Sequence, residues 1–155
     1  MNPILHNSST LFLYYLIFIA MWFAVGFMTA MISGWWELAE TFRSKRRWQG
    51  RLLRFHSAEM NGAPFGSYYN CVHFGVSKDG LFIALNFLFR GSHPSLMVPW
   101  EEITVLEGTS GVLLKKKQLL LGREQAVTLR LSAALAEELR RQAGTMWPRE
   151  ISPNS

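Results

Sequence analysis

Residues 11–32 read LFLYYLIFIAMWFAVGFMTAMI, twenty-two positions without a charged side chain. At the helical rise this covers about 33 Å, against a hydrocarbon layer of roughly 30 Å. Eleven of the twenty-two are Leu, Ile, Phe or Val, and their summed preference for the bilayer is about −3 to −7 kcal/mol. A core helix of a soluble domain is seldom this long and apolar on every face. The run therefore predicts a membrane-spanning helix over residues 11–34. A cleaved leader fits less well. The preceding MNPILHNSST has no Lys or Arg, the run is too long for a leader's apolar region, and Trp35 and Trp36 follow it.

Charge is divided sharply around this helix. Residues 1–36 contain no Asp, Glu, Lys or Arg, whereas the rest of the chain carries all 16 basic and 11 acidic side chains. Arg43, Lys45, Arg46, Arg47, Arg51 and Arg54 crowd the next stretch against only Glu37 and Glu40. Beyond it acids and bases nearly balance, so the net charge of +5 describes one juxtamembrane segment and not a nucleic-acid surface. Positive loops stay on the cytoplasmic side. The expected layout is a short external tail (1–10), the span (11–34), a basic linker (35–47), a cytoplasmic domain (48–147) and a flexible tail (148–155). A bacterial inner membrane is the expected location. Cys71 is the only cysteine, which excludes an intramolecular disulfide and fits a reducing compartment.

Two features of the anchor suggest contacts. Trp35 and Trp36 suit the headgroup region, and with Arg43, Lys45, Arg46 and Arg47 they form a candidate membrane-interface site. That cluster either recognises lipid headgroups or only sets topology. Trp35, Leu38 and Phe42 are spaced so that the helix continues along the interface. Gly26, Ala30 and Gly34 recur every four residues and form a stripe on which a second helix could associate, unless they simply reflect membrane-helix composition.

After Trp48 the periodicity becomes alternating. Residues 49–55 suggest a first strand, and 56–67 a loop rich in Gly, Pro, Ser and Asn. Residues 68–76 form a strand, followed by a tight turn at Ser77-Lys78-Asp79-Gly80 whose Asp-Gly supplies positive φ angles. The partner strand carries Leu81, Ile83, Leu85, Phe87 and Phe89 on one side. Leu96, Val98 and Trp100, then Ile103 and Val105, continue the pattern. After a turn at 107–111, Val112–Leu114 and Leu119–Leu121 flank Lys115, Lys116 and Lys117. Val127, Leu129 and Leu131 form a last strand, and Ser132 caps a helix with Leu135 and Leu139 inward.

The segments VHFGVSKDGLFIAL, LMVPWEEITVLE and VTLRLSAALAEELRRQ resemble the bacterial pleckstrin-homology-like (GRAM-like) domains. The resemblance spans about two thirds of the chain. It implies a mainly β fold, a partly open barrel of about seven strands closed by a C-terminal helix, with a binding or scaffolding role beside a membrane anchor. Members that bind phosphoinositides concentrate basic residues around the first two strands. Here residues 55–77 contain no Lys or Arg, so the resemblance does not extend to inositol-phosphate recognition.

No catalytic constellation emerges. Cys71 and His73 share a strand face, but neither they nor His56 and His93 have metal-ligand spacing, so no metal and no cofactor is expected. Glu101 and Glu102 read as solvent-facing charges. Lys115, Lys116 and Lys117 form a secondary basic patch that either docks on an anionic partner or blunts a sheet edge. The expected function is a non-enzymatic interaction or scaffold module at the cytoplasmic face, binding another protein. The alternatives are a sensor of anionic lipid headgroups and an accessory subunit of a larger membrane complex. Membrane lipids, another protein and an oligomer through the helix are the expected partners, and nucleic acid is not.

Overall fold

The apolar run is helical in the computed structural model, which describes residues 3–62, 66–108, 115–124 and 127–152, with side chains from residue 8 onward. Helix α1 (Pro3–Ile32) is 30 residues long, and its stretch Ser8–Ile32 is long and apolar enough to cross a membrane. It begins earlier than residue 11, because nothing in the leader breaks a helix after Pro3, a favoured residue in a first turn.

Helix α1 stops at Ser33–Gly34. Gly34 adopts φ 79° and starts α2 (Trp35–Phe42) in a new direction. Glycine is required there twice over. The positive φ is strained for any L side chain, and a Cβ would lie 2.7 Å from Asn61 Nδ2 and 2.9 Å from Val127 Cγ2. Helix α2 presents Trp35, Leu38 and Ala39 to the interior of the sheet domain. The expected linker is therefore part of the domain's core, and the domain begins at Trp35 rather than at Trp48.

Eight strands form one sheet: β1 (Leu52–Met60), β2 (Ser67–Val76), β3 (Gly80–Leu85), β4 (Leu96–Pro99), β5 (Ile103–Leu106), β6 (Lys116–Leu121), β7 (Val127–Ser132) and β8 (Glu150–Ile151). Their order across the sheet is β4-β3-β2-β1-β7-β6-β5-β8. In a flat sheet β4 and β5 would stand about 29 Å apart. The single turn Trp100–Glu102 that joins them bridges at most about 14 Å. The sheet must curl, and it forms a half-barrel. Phe74, Leu81, Ile83, Leu85, Leu129 and Leu131 fill its concave side. Helix α3 (Ala133–Ala143) covers that side with Leu135, Ala136 and Leu139, and Ser132 Oγ caps it by accepting from Leu135 N at 3.3 Å. The fold is thus mainly β, with an apolar N-terminal helix and a C-terminal helix, as the residue pattern predicts.

Several local expectations need correction. Strand β1 continues through 56–60, read above as loop. Its alternation is interrupted by Phe55 at φ 59°, opposite irregular pairing with β2. The β2–β3 turn does not use a positive φ at Gly80. Ser77 Oγ instead accepts from the amides of Asp79 (3.1 Å) and Gly80 (3.2 Å). Gly80 lies inside β3 because β4 approaches it closely, and a Cβ would stand 2.2 Å from the Val98 carbonyl oxygen. Strand β3 ends at Leu85. Asn86 Oδ1 accepts from Leu88 N at 3.2 Å and folds Phe87–Phe89 into a 3-10 turn, so Phe87 leaves the core. The tail is not free either. β8 pairs in parallel with β5, and Glu107 N donates to Ile151 O at 2.7 Å. Val112–Leu114 lie outside the described residues.

Candidate functional site

The candidate site is the junction between α1 and the rim of the sheet formed by β1, β2 and the Phe87–Phe89 turn. From Trp22 to Gly34, about 18 Å along the helix axis, α1 lies against this rim. Trp22 stacks on Phe89 (centroids 5.4 Å, 22°) and donates from Nε1 to the Leu88 carbonyl at 3.4 Å. Gly26 faces Ser92, where a Cβ would come within 2.6 Å of Oγ. Ala30 has no exposed surface. The Gly26–Ala30–Gly34 stripe is thus occupied by the chain's own domain. The expectation of a free helix-association face is overturned, because the small side chains let α1 meet this domain closely.

A buried chain of hydrogen bonds runs across the junction. Ser33 Oγ meets Tyr68 OH at 2.8 Å, Tyr68 OH meets His93 Nε2 at 3.0 Å, and His93 Nδ1 meets Ser92 Oγ at 3.0 Å. Its ends reach the Ala30 and Phe89 carbonyls, each at 3.3 Å. Both directions of donation satisfy every proton. From Ser92 the chain ends on Ala30 O, and from Ser33 it ends on Phe89 O, with opposite His93 tautomers. Burial pushes Tyr68 up to about 12 and His93 down to about 4, so both are neutral near pH 7. The chain ties α1, β2 and the loop before β4 together without charge.

Trp35 encloses this chain. It is 0% exposed, meets Tyr68 and His93 edge-on at 5.7 and 5.2 Å, and donates from Nε1 to the Pro94 carbonyl at 2.9 Å. It was expected among lipid headgroups, but the turn at Gly34 points it into the domain instead. Trp36 is half-buried beside Phe27 of α1 (5.3 Å).

Two concavities flank the Phe87–Phe89 turn. One, of about 520 Å³, lies between α1 and the rim. Phe18, Trp22 and Val25 wall it on the helix side and Cys71 and Phe89 on the other, with Thr29, Ser67 and Tyr68 also lining it. Ser67 Oγ is buried there and has no partner among the described residues, and burial raises the Cys71 thiol pKa.

The other, of about 450 Å³, is a basic cleft. Segment 44–48 crosses the convex face of β2 and β3, held by Trp48 stacked on Phe82 (4.8 Å, 23°). The cleft beneath collects Lys45, Arg46, Arg47, Arg54 and Arg90 around His73. Burial, then the charges of Arg54 and Arg90, lowers the His73 pKa, which keeps its ring neutral and Nδ1 free to accept from Phe55 N at 3.2 Å. The ion pairs among the described residues involve Lys116, Lys117, Arg123, Arg140 and Arg141, and none of the cleft's cations. An anion would meet several unneutralised cations here, with Arg forks suited to phosphate oxygens.

The rim exposes Phe87 (76%), Tyr69 (72%), Phe55 (62%) and Leu88 (52%) to solvent, and Phe55 meets His73 of the cleft edge-on at 5.2 Å. Of the expected interface residues, Lys45, Arg46 and Arg47 are gathered at the cleft, while Arg43 is exposed and bridges through its backbone to Leu96. Arg54 and Arg90 join them. Arg90 was missed because it is far away in sequence. The Lys115–Lys117 patch is not a free basic surface, since Lys116 pairs with Glu59 and Lys117 with Glu150 (2.6 Å). Lys115 is exposed, and its backbone carbonyl accepts from Ala133 N. The described residues contain no group of three or more His, Cys, Asp or Glu placed to hold a metal ion.

No protein-family model, curated protein or solved structure matches the chain.

Proposed function

We propose that this chain is a membrane-anchored, non-catalytic module whose domain is clamped to the cytoplasmic face of the bilayer and reads anionic lipid headgroups. The observation that carries this reading is the convergence in one cleft of five cations that form no ion pair among the described residues, next to the exposed ring of Phe55, which meets His73 of the cleft edge-on, and close in sequence to the exposed Phe87–Leu88. Aromatic rings entering the interface above a basic collar combine apolar burial with attraction to anionic lipid, each cation contributing roughly 1 kcal/mol.

In this reading α1 spans the membrane with its N-terminus outside, as the basic cluster after it favours. The contact at Trp22 then carries the Phe87–Phe89 turn into the bilayer beside the helix. Irregular backbone tolerates hydrocarbon only when its polar groups are satisfied. Five amides of this turn meet that condition. The amides of Leu88, Phe89, Arg90, Ser92 and His93 all donate within residues 86–89, and the Leu88 carbonyl accepts from Trp22. The strand order, with a C-terminal helix over the concave side, supports the pleckstrin-homology-like reading of the domain. Its basic site would then be supplied largely by the segment preceding β1.

The test places the full chain in nanodiscs of zwitterionic lipid, with and without anionic lipid, and measures hydrogen exchange over residues 44–56. Anionic lipid should protect this segment, salt should remove the protection, and the triple variant R46A/R47A/R54A should be indifferent to lipid charge. Protection that ignores both lipid charge and salt would sink the headgroup reading. A partner protein that co-purifies and protects the same cleft would replace it with the scaffold role.

A further inference from the structure

We propose that the basic cleft takes a phosphomonoester, a bare terminal phosphate carried by a bilayer lipid, in preference to a phosphodiester headgroup. This deepens the reading above and rests on its premise that the cleft meets lipid headgroups.

The floor of the cleft is the pair His73 of β2 and Ala84 of β3. One pleat away on the same face of β3, Phe82 is covered by the Trp48 ring. Ala84 is too small to fill the matching space, and cations close on it from different directions. Lys45, Arg46 and Arg47 come from the segment that Ser44 ties to β4, its amide donating to the Ser95 carbonyl at 2.7 Å. Arg54 comes from β1, and Arg90 follows the Phe87–Phe89 turn. Because the strands run β4-β3-β2-β1, the segment and Arg54 stand on opposite sides of the floor. Cations on opposite sides need acceptors on more than one side of their ligand. A monoester phosphate presents three terminal oxygens and carries about −1.5 to −2 near pH 7. A diester presents two such oxygens and a single charge.

The rest of the lining disfavours other headgroup chemistry. All 11 Asp and Glu side chains of the chain belong to described residues, and none of them lines the cleft. The ammonium group of an ethanolamine, choline or serine headgroup would therefore face cations and no carboxylate. A sugar or polyol needs neutral partners, and few are free. Ser44 Oγ donates to the Arg46 carbonyl at 3.1 Å, and His73 Nδ1 accepts from Phe55 N at 3.2 Å. That acceptor role puts the ring proton on Nε2, so His73 brings the cleft another donor. A terminal phosphate is the group that suits a lining rich in donors and free of acids.

The test places the full chain in two series of zwitterionic nanodiscs, doped with phosphatidic acid or with phosphatidylglycerol and matched for surface charge. Hydrogen exchange over residues 44–56 is followed as the doping rises. Half-maximal protection should need a surface charge roughly 5- to 30-fold lower from phosphatidic acid, since its added charge faces several cations. The double variant R54Q/R90Q, which changes two exposed side chains, should erase this difference with its thermal transition unchanged. Glycerol 3-phosphate added to undoped discs should protect weakly, because a lipid in the same membrane has the higher effective concentration. Equal protection by the two lipids at matched charge would overturn the monoester assignment and leave the headgroup reading standing. No protection by either lipid would remove both. Protection by glycerol 3-phosphate equal to that by phosphatidic acid would overturn the lipid as the phosphate's carrier.

Discussion

Replacing Gly26 with leucine separates two uses of a small-residue stripe. A Cβ at this position would stand 2.6 Å from Ser92 Oγ and 3.3 Å from Ser92 Cβ, roughly an ångström inside normal contact for the first. Ser92 Oγ has little freedom to turn away, because it links His93 Nδ1 to the Phe89 carbonyl. The loop and the helix must therefore part. Parting would cost the hydrogen bond from Trp22 Nε1 to the Leu88 carbonyl, about 1 kcal/mol, and the Trp22–Phe89 stack, about 0.5–1.5 kcal/mol beyond its buried area. Gly26→Leu should weaken docking of residues 86–93 on α1 by about 1.5–2.5 kcal/mol, so their amides should exchange roughly 10- to 70-fold faster in the full chain in detergent. Ser92→Ala in a Gly26→Ala background should recover much of the milder loss, since it removes the nearer atom of the clash. Unchanged exchange in Gly26→Leu, accompanied by a shift to a smaller oligomer, would refute this account and restore the stripe to helix–helix association.

Burial holds His93 near 4 when folded, against an ordinary 6.5 when unfolded. Only the unfolded chain then takes up this proton between the two values, so the contribution is complete above about 6.5 and lost as the pH falls toward 4. The loss is at most about 3 kcal/mol. Comparing denaturant unfolding of the native chain and His93→Gln across that window isolates it, and parallel pH profiles would refute it. Gly80→Ala should destabilise the domain by on the order of 2–4 kcal/mol, because the added Cβ meets the Val98 backbone and not a movable side chain. An unshifted melting temperature would show that β3 and β4 can separate freely at this point.

Residues 11–32 need no partner to be read, because hydrophobic length and absence of charge belong to the segment itself. The same is true of the β2–β3 hairpin and of α3 with its Ser132 cap, where near neighbours along the chain set the conformation. The mainly β fold with a helix at each end follows from these local signals. The junction does not. Ser33, Tyr68 and His93 are 35 and 25 residues apart, and each alone is an ordinary polar residue. Only the curl of the sheet and the reversal at Gly34 bring them together. That reversal also carries Trp35 from the expected lipid interface into the core. Arg90 reaches Arg46 and Arg47 only because β3 ends at Leu85 and segment 44–48 crosses the convex face. Gly26, Ala30 and Gly34 announced a close contact from spacing alone, but whether another helix or the chain's own loop would fill it was a matter of tertiary packing. Local propensity depends on neighbouring residues, whereas a buried polar chain or a cluster of cations depends on which distant surfaces meet.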